Sequence, residues 1–182
     1  MLAKETRQHG GNLGYDDSAA EYYSWDSTVP NHSVPKILDK IIIWDGEVLI
    51  GTGVIQDIKI SSSEKVRLRC PHCNMTKIKV RHKVLPKYRC HNQECKKEFE
   101  NPTKETISVK TYRSYHADFW YDLSGQLEAQ ELRAICMQPR SQFSLRPLIW
   151  LEFLKLIGRE VGHNLESIDT LTMPGSGHRN TK

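Results

Sequence analysis

Residues 70–95 read CPHCNMTKIKVRHKVLPKYRCHNQEC, and this stretch decides how the rest of the chain is organised. Two cysteine-bounded turns open and close it, Cys70-Pro-His-Cys73 and Cys90-His-Asn-Gln-Glu-Cys95, with 16 residues between them. Thiolates held on two such turns can converge on one ion, and zinc takes four tetrahedral sulfur or imidazole ligands. In a chain expected to be cytoplasmic, the pattern favours a metal over disulfides. Cys70, Cys73, Cys90 and Cys95 are therefore the expected Zn2+ ligands. Four sulfurs close the shell, whereas a catalytic zinc keeps a position open for water, so the ion is expected to be structural. His72 and His91 stand beside the ligands and are read as bystanders or phosphate contacts.

Between the knuckles, Thr76-Lys-Ile-Lys-Val-Arg81 alternates and Leu85-Pro-Lys-Tyr-Arg89 returns, which is the pattern of a β-hairpin. The segment thus reads as a zinc ribbon. Lys77, Lys79, Arg81, Lys83, Lys87 and Arg89 can line one basic face of it for phosphates. Charge along the chain agrees. Residues 64–113 carry 14 Lys/Arg against 5 Asp/Glu, although the whole chain is only +4. A positive middle on a mildly acidic body suggests a surface that faces a polyanion. A merely solubilising surface around a small metal module is the plainer alternative.

Working outward, Tyr22–Asp26 reads as a short strand and Lys40–Trp44 as a buried one, by its β-branched run. Asp45-Gly46 is a tight turn, and Val48 to Ile60 continues as one or two strands. Residues 105–115 form another strand. Gly125–Met137 has helical spacing, with Leu127, Leu132, Ile135 and Cys136 inward. Leu148–Val161 is a second helix, opened by Pro147 at its first turn. Cys136, on an apolar helical face, is expected to be a buried free thiol. With 182 residues, 38% of them apolar, the chain can bury a real core plus a small module. The expected architecture is α+β: an N-terminal arm over 1–20, a barrel-like domain in two parts over 21–63 and 103–162, the ribbon inserted over 64–102, and a linker over 163–182.

Several motifs together resemble a known family. They are Asn12-Leu-Gly-Tyr-Asp-Asp17, Tyr23-Ser-Trp-Asp-Ser-Thr-Val-Pro-Asn31, Leu49-Ile-Gly-Thr-Gly-Val-Ile55, the first knuckle, Pro86-Lys-Tyr-Arg-Cys90, Phe99-Glu-Asn-Pro102 and Ser141-Gln-Phe-Ser-Leu-Arg-Pro147. The chain resembles, over roughly residues 10–157, the modified-base-reading specificity domain that precedes the HNH nuclease domain in modification-dependent (McrA-like) restriction endonucleases. The closing Pro174-Gly-Ser-Gly-His-Arg179 is similar to the linker that enters the nuclease domain. The chain stops at Lys182 with no HNH set, so it is expected to be a specificity module rather than an enzyme. Leu38-Asp39 departs from the pattern, where relatives show Gly-Asp, and affects the local turn.

The resemblance implies a PUA-superfamily fold of SRA or EVE type, a β-barrel with flanking helices that flips a nucleotide into a pocket. Reading a small group on cytosine C5 favours extruding the base into a shaped site with aromatic faces and an acceptor for N4. Tyr23 and Trp25 are expected to wall that pocket, with Asp26 accepting from the base edge and Trp120 as a second-cluster candidate. The ordinary alternative is that these aromatics are core and that Asp26 braces a turn through Ser27 and Thr28. Arg140, Ser141, Gln142, Ser144 and Arg146 lie in a polar loop suited to phosphate and groove contacts, unless Ser144 caps the following helix. His32 and His116 are expected at the surface, and Trp44 in packing.

The expected partner is duplex DNA carrying 5-methyl- or 5-hydroxymethylcytosine, with a homodimer conceivable through a nuclease domain beyond this chain. An RNA-binding PUA-like zinc-ribbon domain is the main alternative, because a basic ribbon does not separate DNA from RNA. A protein-interaction ribbon is weaker still. A zinc deaminase would need an open site and a His-x-Glu arrangement, and no such tripeptide occurs. No membrane is expected: Pro147–Ile157, the longest apolar run, is interrupted by Glu152 and Lys155.

Overall fold

The computed structural model describes Met1 and residues 15–161, with side chains as far as residue 158. Most of the expected N-terminal arm, Asn12-Leu-Gly14 and the expected linker over 163–182 lie outside these residues. The described strands are β1 (Tyr22–Asp26), β2 (Lys40–Trp44), β3 (Leu49–Val54), β4 (Asp57–Arg69), β5 (Ile78–Val80), β6 (Tyr88–Cys90), β7 (Glu98–Phe99), β8 (Thr103–Tyr115) and β9 (Tyr121–Asp122). Two helices, α1 (Ala129–Ala134) and α2 (Trp150–Val161), complete the set. The chain divides into two compact units: one holds Met1, 17–59 and 112–161, the other 15–16 and 60–111. β4 carries the chain from the first unit into the second, and β8 brings it back.

In the first unit, β2 explains its own sequence. Ile41, Ile42, Ile43 and Trp44 are all buried, so both faces of the strand are covered and an unbroken apolar run replaces alternation. β2 pairs antiparallel with β3, with Ile42 opposite Thr52. The turn between them is held by Asp45, whose Oδ1 accepts the N–H groups of Glu47 at 2.7 Å and Val48 at 2.9 Å. Gly46 takes φ +101°, a conformation open to glycine. β3 then pairs with β9, with Thr52 opposite Tyr121. Any side chain at Gly51 would overlap the Trp120 ring and the Tyr121 carbonyl, so glycine here is what lets that indole lie against the strand.

The core of this unit gathers Ile42, Trp44, Leu49, Val54, Leu123, Leu127, Leu132, Ile135, Phe153 and Ile157. α1 is shorter than the apolar spacing suggests. Gly125 turns at φ +77°, and Glu128 is extended and bridges Val48, so the helix opens only after it, through a capping box between Glu128 and Glu131. At the other end Cys136 bridges Leu148. That bridge also moves the start of α2 to Trp150, because Pro147 and Leu148 are held extended; Ser144 therefore does not cap it. Phe153 and Ile157, one turn apart, face the core, while Leu151 stays exposed.

The chain is α+β, as expected. The strands do not close into a barrel: the described ones form three open three-stranded sheets, ordered β1-β8-β4, β2-β3-β9 and β5-β6-β7. A barrel needs an unbroken ladder round its whole girth. Here β9 is only two residues long, because the Asp122 carboxylate turns the chain at Ser124. No described helix is long and apolar enough to cross a membrane.

Candidate metal centre and basic hairpin

The second unit brings together the four expected cysteines. One sulfur from each of Cys70, Cys73, Cys90 and Cys95 falls within 4.8 Å of all the others. The Cys73 and Cys90 sulfurs are 3.5 Å apart, and those of Cys70 and Cys95 are 3.8 Å apart. A tetrahedral ion with metal–sulfur bonds of about 2.3 Å sets its sulfurs roughly 3.8 Å apart, so the donor set fits one. Neither His72 nor His91 joins the cluster, and both are exposed. His72 instead sets its ring edge against Phe99.

The two knuckles are built alike despite their unequal length. The Cys70 N–H donates to Met75 O at 2.9 Å, and the Cys90 N–H to Lys97 O at 2.8 Å. Each turn ends on a left-handed residue directly after its second cysteine, Asn74 at φ 59° and Lys96 at φ 50°. In the first knuckle Asn74 N–H closes onto Cys70 O; in the second, Lys96 N–H closes onto Asn92 O. Asn92 thus takes the place in the turn that Cys70 has in the other knuckle, which is how the two extra residues are absorbed. Its N–H also points to the Cys90 sulfur at 3.4 Å. The Cys90-x-Asn92 placement was the available sign of this role, since asparagine favours such turns.

The thiols of Cys73 and Cys90 are shifted in opposite directions. Cys73 falls to about 7, chiefly through the backbone of Met75. Burial pushes Cys90 up to about 12. An ion must displace these protons to bind. Around the sulfurs the packing is thin: Cys70, Cys90 and Phe99 are buried, with Ile78 and the Tyr88 ring, stacked on Phe99 at 5.9 Å, beside them.

The hairpin between the knuckles is present as β5 and β6, and β7 adds a third strand that spacing did not reveal. Register places Ile78 opposite Cys90 and Lys79 opposite Arg89, with Arg89 opposite Glu98. Side chains alternate, so Ile78, Val80, Tyr88 and Phe99 share the cysteine face and Lys79 and Arg89 the other. Lys77, Lys79 and Lys83 are exposed as expected. Arg81 is not open in the same way: it pairs with Glu98 and donates to Leu85 O at 2.8 Å, closing the hairpin tip. A surface depression of about 590 Å³ is lined by Lys79, Arg81, His82, Lys83, Arg89 and His91, among others.

The remaining expected site residues lie in the first unit. Tyr23 and Trp25 are core residues, 0% and 1% exposed. Trp25 stacks on Tyr112 at 5.4 Å and donates its indole N–H to His32 O at 2.8 Å. Asp26 is buried and accepts the Thr28 N–H at 2.7 Å, the turn-bracing arrangement. Trp120 keeps partial exposure, with His116 against its ring. His116 is not at the surface: it is fully buried, its Nε2 2.9 Å from Ala19 O, and burial holds its pKa below the ordinary value. Arg140 and Gln142 are exposed and Ser141 and Ser144 partly so; the Ser141 hydroxyl accepts the Phe143 N–H at 3.2 Å. Arg146 is half-buried over the Trp44 ring. Cys136 is a half-buried free thiol whose pKa burial raises, which disfavours a nucleophile. Comparison of the chain with family models, with curated proteins and with solved structures finds no match in any of the three.

Proposed function

We propose that this chain is a DNA-binding specificity module that recognises modified cytosine, 5-methyl or 5-hydroxymethyl, in duplex DNA on behalf of a modification-dependent HNH endonuclease. The observation that carries the DNA part is the basic depression on the hairpin, with Lys79, Lys83 and Arg89 exposed in the unit that holds the four-cysteine cluster. Zn2+ is the ion proposed for the cluster. It would fix the knuckles, and with four sulfurs round it no position is left for a reacting water. This chain by itself is therefore proposed to bind and not to cut. The modified-cytosine part, and assignment to the PUA superfamily with SRA- or EVE-like base flipping, rest on the motif resemblance. Of Tyr23, Trp25, Asp26 and Trp120, Trp120 is the one that retains partial exposure.

Charge reversal on the hairpin tests the DNA part. Each phosphate contact adds about −0.9 to the slope of log K against log salt. Three contacts from Lys79, Lys83 and Arg89 give a slope of about −3. Lys79→Glu with Arg89→Glu should leave only a shallow slope and weaken binding to any duplex sequence. Unchanged affinity in that variant would sink the hairpin assignment. Competition by an RNA duplex of matched sequence would move the proposal to RNA if RNA wins.

A further inference from the structure

The first unit contains a half-open cavity of about 330 Å³, lined by Met1, Pro35, Lys40, Arg146, Pro147 and Trp150 among others. Ligand cavities start at about 300 Å³, so this one has the size for a single-ring molecule. Its walls are mainly apolar, yet two lining residues carry a buried donor atom with no hydrogen-bond acceptor among the described residues, although the Cys136 thiol lies beside the Arg146 guanidinium. They are Nη1 of Arg146 and Nε1 of Trp150. A buried donor left unmade costs about 1–3 kcal/mol, and more when charged. Each side chain is otherwise held in place. Arg146 Nε donates to Phe143 O and its guanidinium lies over the Trp44 ring at 5.5 Å. The Trp150 ring packs on Phe153 at 5.1 Å, and the Lys40 ammonium sits over it at 4.7 Å. Asp39, the acidic residue of the wall, already accepts the Lys36 N–H at 2.8 Å. The Lys40 and Arg146 cations, the Met1 ammonium held on Ile42 O, and the two buried donors round an apolar space call for a ligand with acceptor oxygens, negative charge and a flat or aliphatic body.

We propose that this cavity binds a small organic anion, a carboxylate or phosphate ester on an apolar body, with Arg146 Nη1 and Trp150 Nε1 donating to its anionic oxygens. The site lies wholly in the first unit and uses none of the hairpin cations, so it stands or falls apart from the DNA proposal. Charge-assisted bonds to a guanidinium are about twice as strong as neutral ones, which makes Arg146 the larger contributor.

The test follows the side-chain N–H signals of the 4 tryptophans in a proton–nitrogen NMR spectrum of the full chain, with the Trp150 signal assigned by Trp150→Phe. Four probes are titrated: benzoate, phenyl phosphate, inorganic phosphate and benzyl alcohol. The Trp150 signal should move and saturate with benzoate or phenyl phosphate. Inorganic phosphate, which lacks the body, and benzyl alcohol, which lacks the charge, should each bind about tenfold more weakly or worse. The tighter of the first two probes identifies the anion as carboxylate or phosphate. Arg146→Ala should weaken that probe by about tenfold or more while the other indole signals stay in place. If that variant loses its dispersed spectrum, Arg146→Lys, which keeps the charge but not the fork, should show a smaller loss in the same direction. A Trp150 signal that no probe moves would overturn the proposal. So would equal binding of benzyl alcohol, or a shift that Arg146→Ala and Arg146→Lys both leave intact.

Discussion

If the four cysteines hold a zinc ion as proposed, removing it should open the ribbon and leave the first unit folded. Around the four sulfurs, Cys70, Cys90 and Phe99 are the buried side chains of the local core. Each contributes about 1.5–3 kcal/mol at most, whereas a structural zinc site contributes an apparent ~10–16 kcal/mol to folding. Losing even about 3 kcal/mol of the latter raises the open fraction roughly a hundredfold. Two probes separate the units. All 4 tryptophans, Trp25, Trp44, Trp120 and Trp150, belong to the first unit. The hairpin, by contrast, is rich in trypsin sites: Lys77, Lys79, Arg81, Lys83, Lys87 and Arg89. Chelation, or Cys90→Ser, should therefore speed tryptic cleavage within 77–89 by about two orders of magnitude, with the tryptophan emission unchanged. Cleavage that stays slow after the metal is stripped would refute the argument that the ion, and not the small core, holds the hairpin. Collapse of the tryptophan signal at the same moment would refute the independence of the two cores.

Other consequences follow from single residues. Leu38 is exposed and sits at φ 74°, so Leu38→Gly should relieve left-handed strain of about 1 kcal/mol and raise the melting temperature by a few degrees. An unchanged or lower melting point would contradict this. His116 is buried with a pKa below its ordinary 6.5, so the unfolded chain takes up a proton that the folded chain refuses. Stability should then fall as pH drops from 6.5 towards the lower folded value and be flat above 6.5; denaturant melts of wild type and His116→Gln should differ in that slope. Trp25→Ala should cost about 3–5 kcal/mol, since a core indole is lost, and chemical denaturation would show it. A cost under about 1 kcal/mol would mean that Trp25 is not core.

What could be read from the residues differed sharply between the two units. The ribbon was legible because metal chemistry restricts spacing: two cysteine pairs leave few other readings, and the alternation of 76–81 gave the hairpin. In the first unit local sequence is decisive where one force dominates, as in the all-apolar β2, and is overridden where tertiary contacts compete. The helix expected from Gly125 begins late because Glu128 is drawn into a bridge with Val48, and the one expected from Leu148 begins late because that residue bridges Cys136. Val48 and Glu128 lie 80 positions apart, beyond any local window, and Cys136 and Leu148 pair across a loop whose sequence does not announce the bridge. His116 reads as a surface residue, yet a lone histidine gives no sign of the Ala19 carbonyl that meets its Nε2 from 97 positions away. Tyr23, Trp25 and Asp26 were ambiguous from the start, because an aromatic strand looks the same whether it walls a pocket or fills a core. The buried donors of Arg146 and Trp150 are a property of packing among the described residues and leave no mark in the sequence.

The central claim is tested most directly by fluorescence anisotropy with matched duplexes of one sequence, carrying cytosine, 5-methylcytosine, 5-hydroxymethylcytosine or a glucosylated derivative, at moderate salt. The account predicts a preference of about tenfold or more, worth about 1.4 kcal/mol, for the 5-methyl or 5-hydroxymethyl duplex. Equal binding to all four would contradict it and leave a basic hairpin that grips phosphates without reading the base.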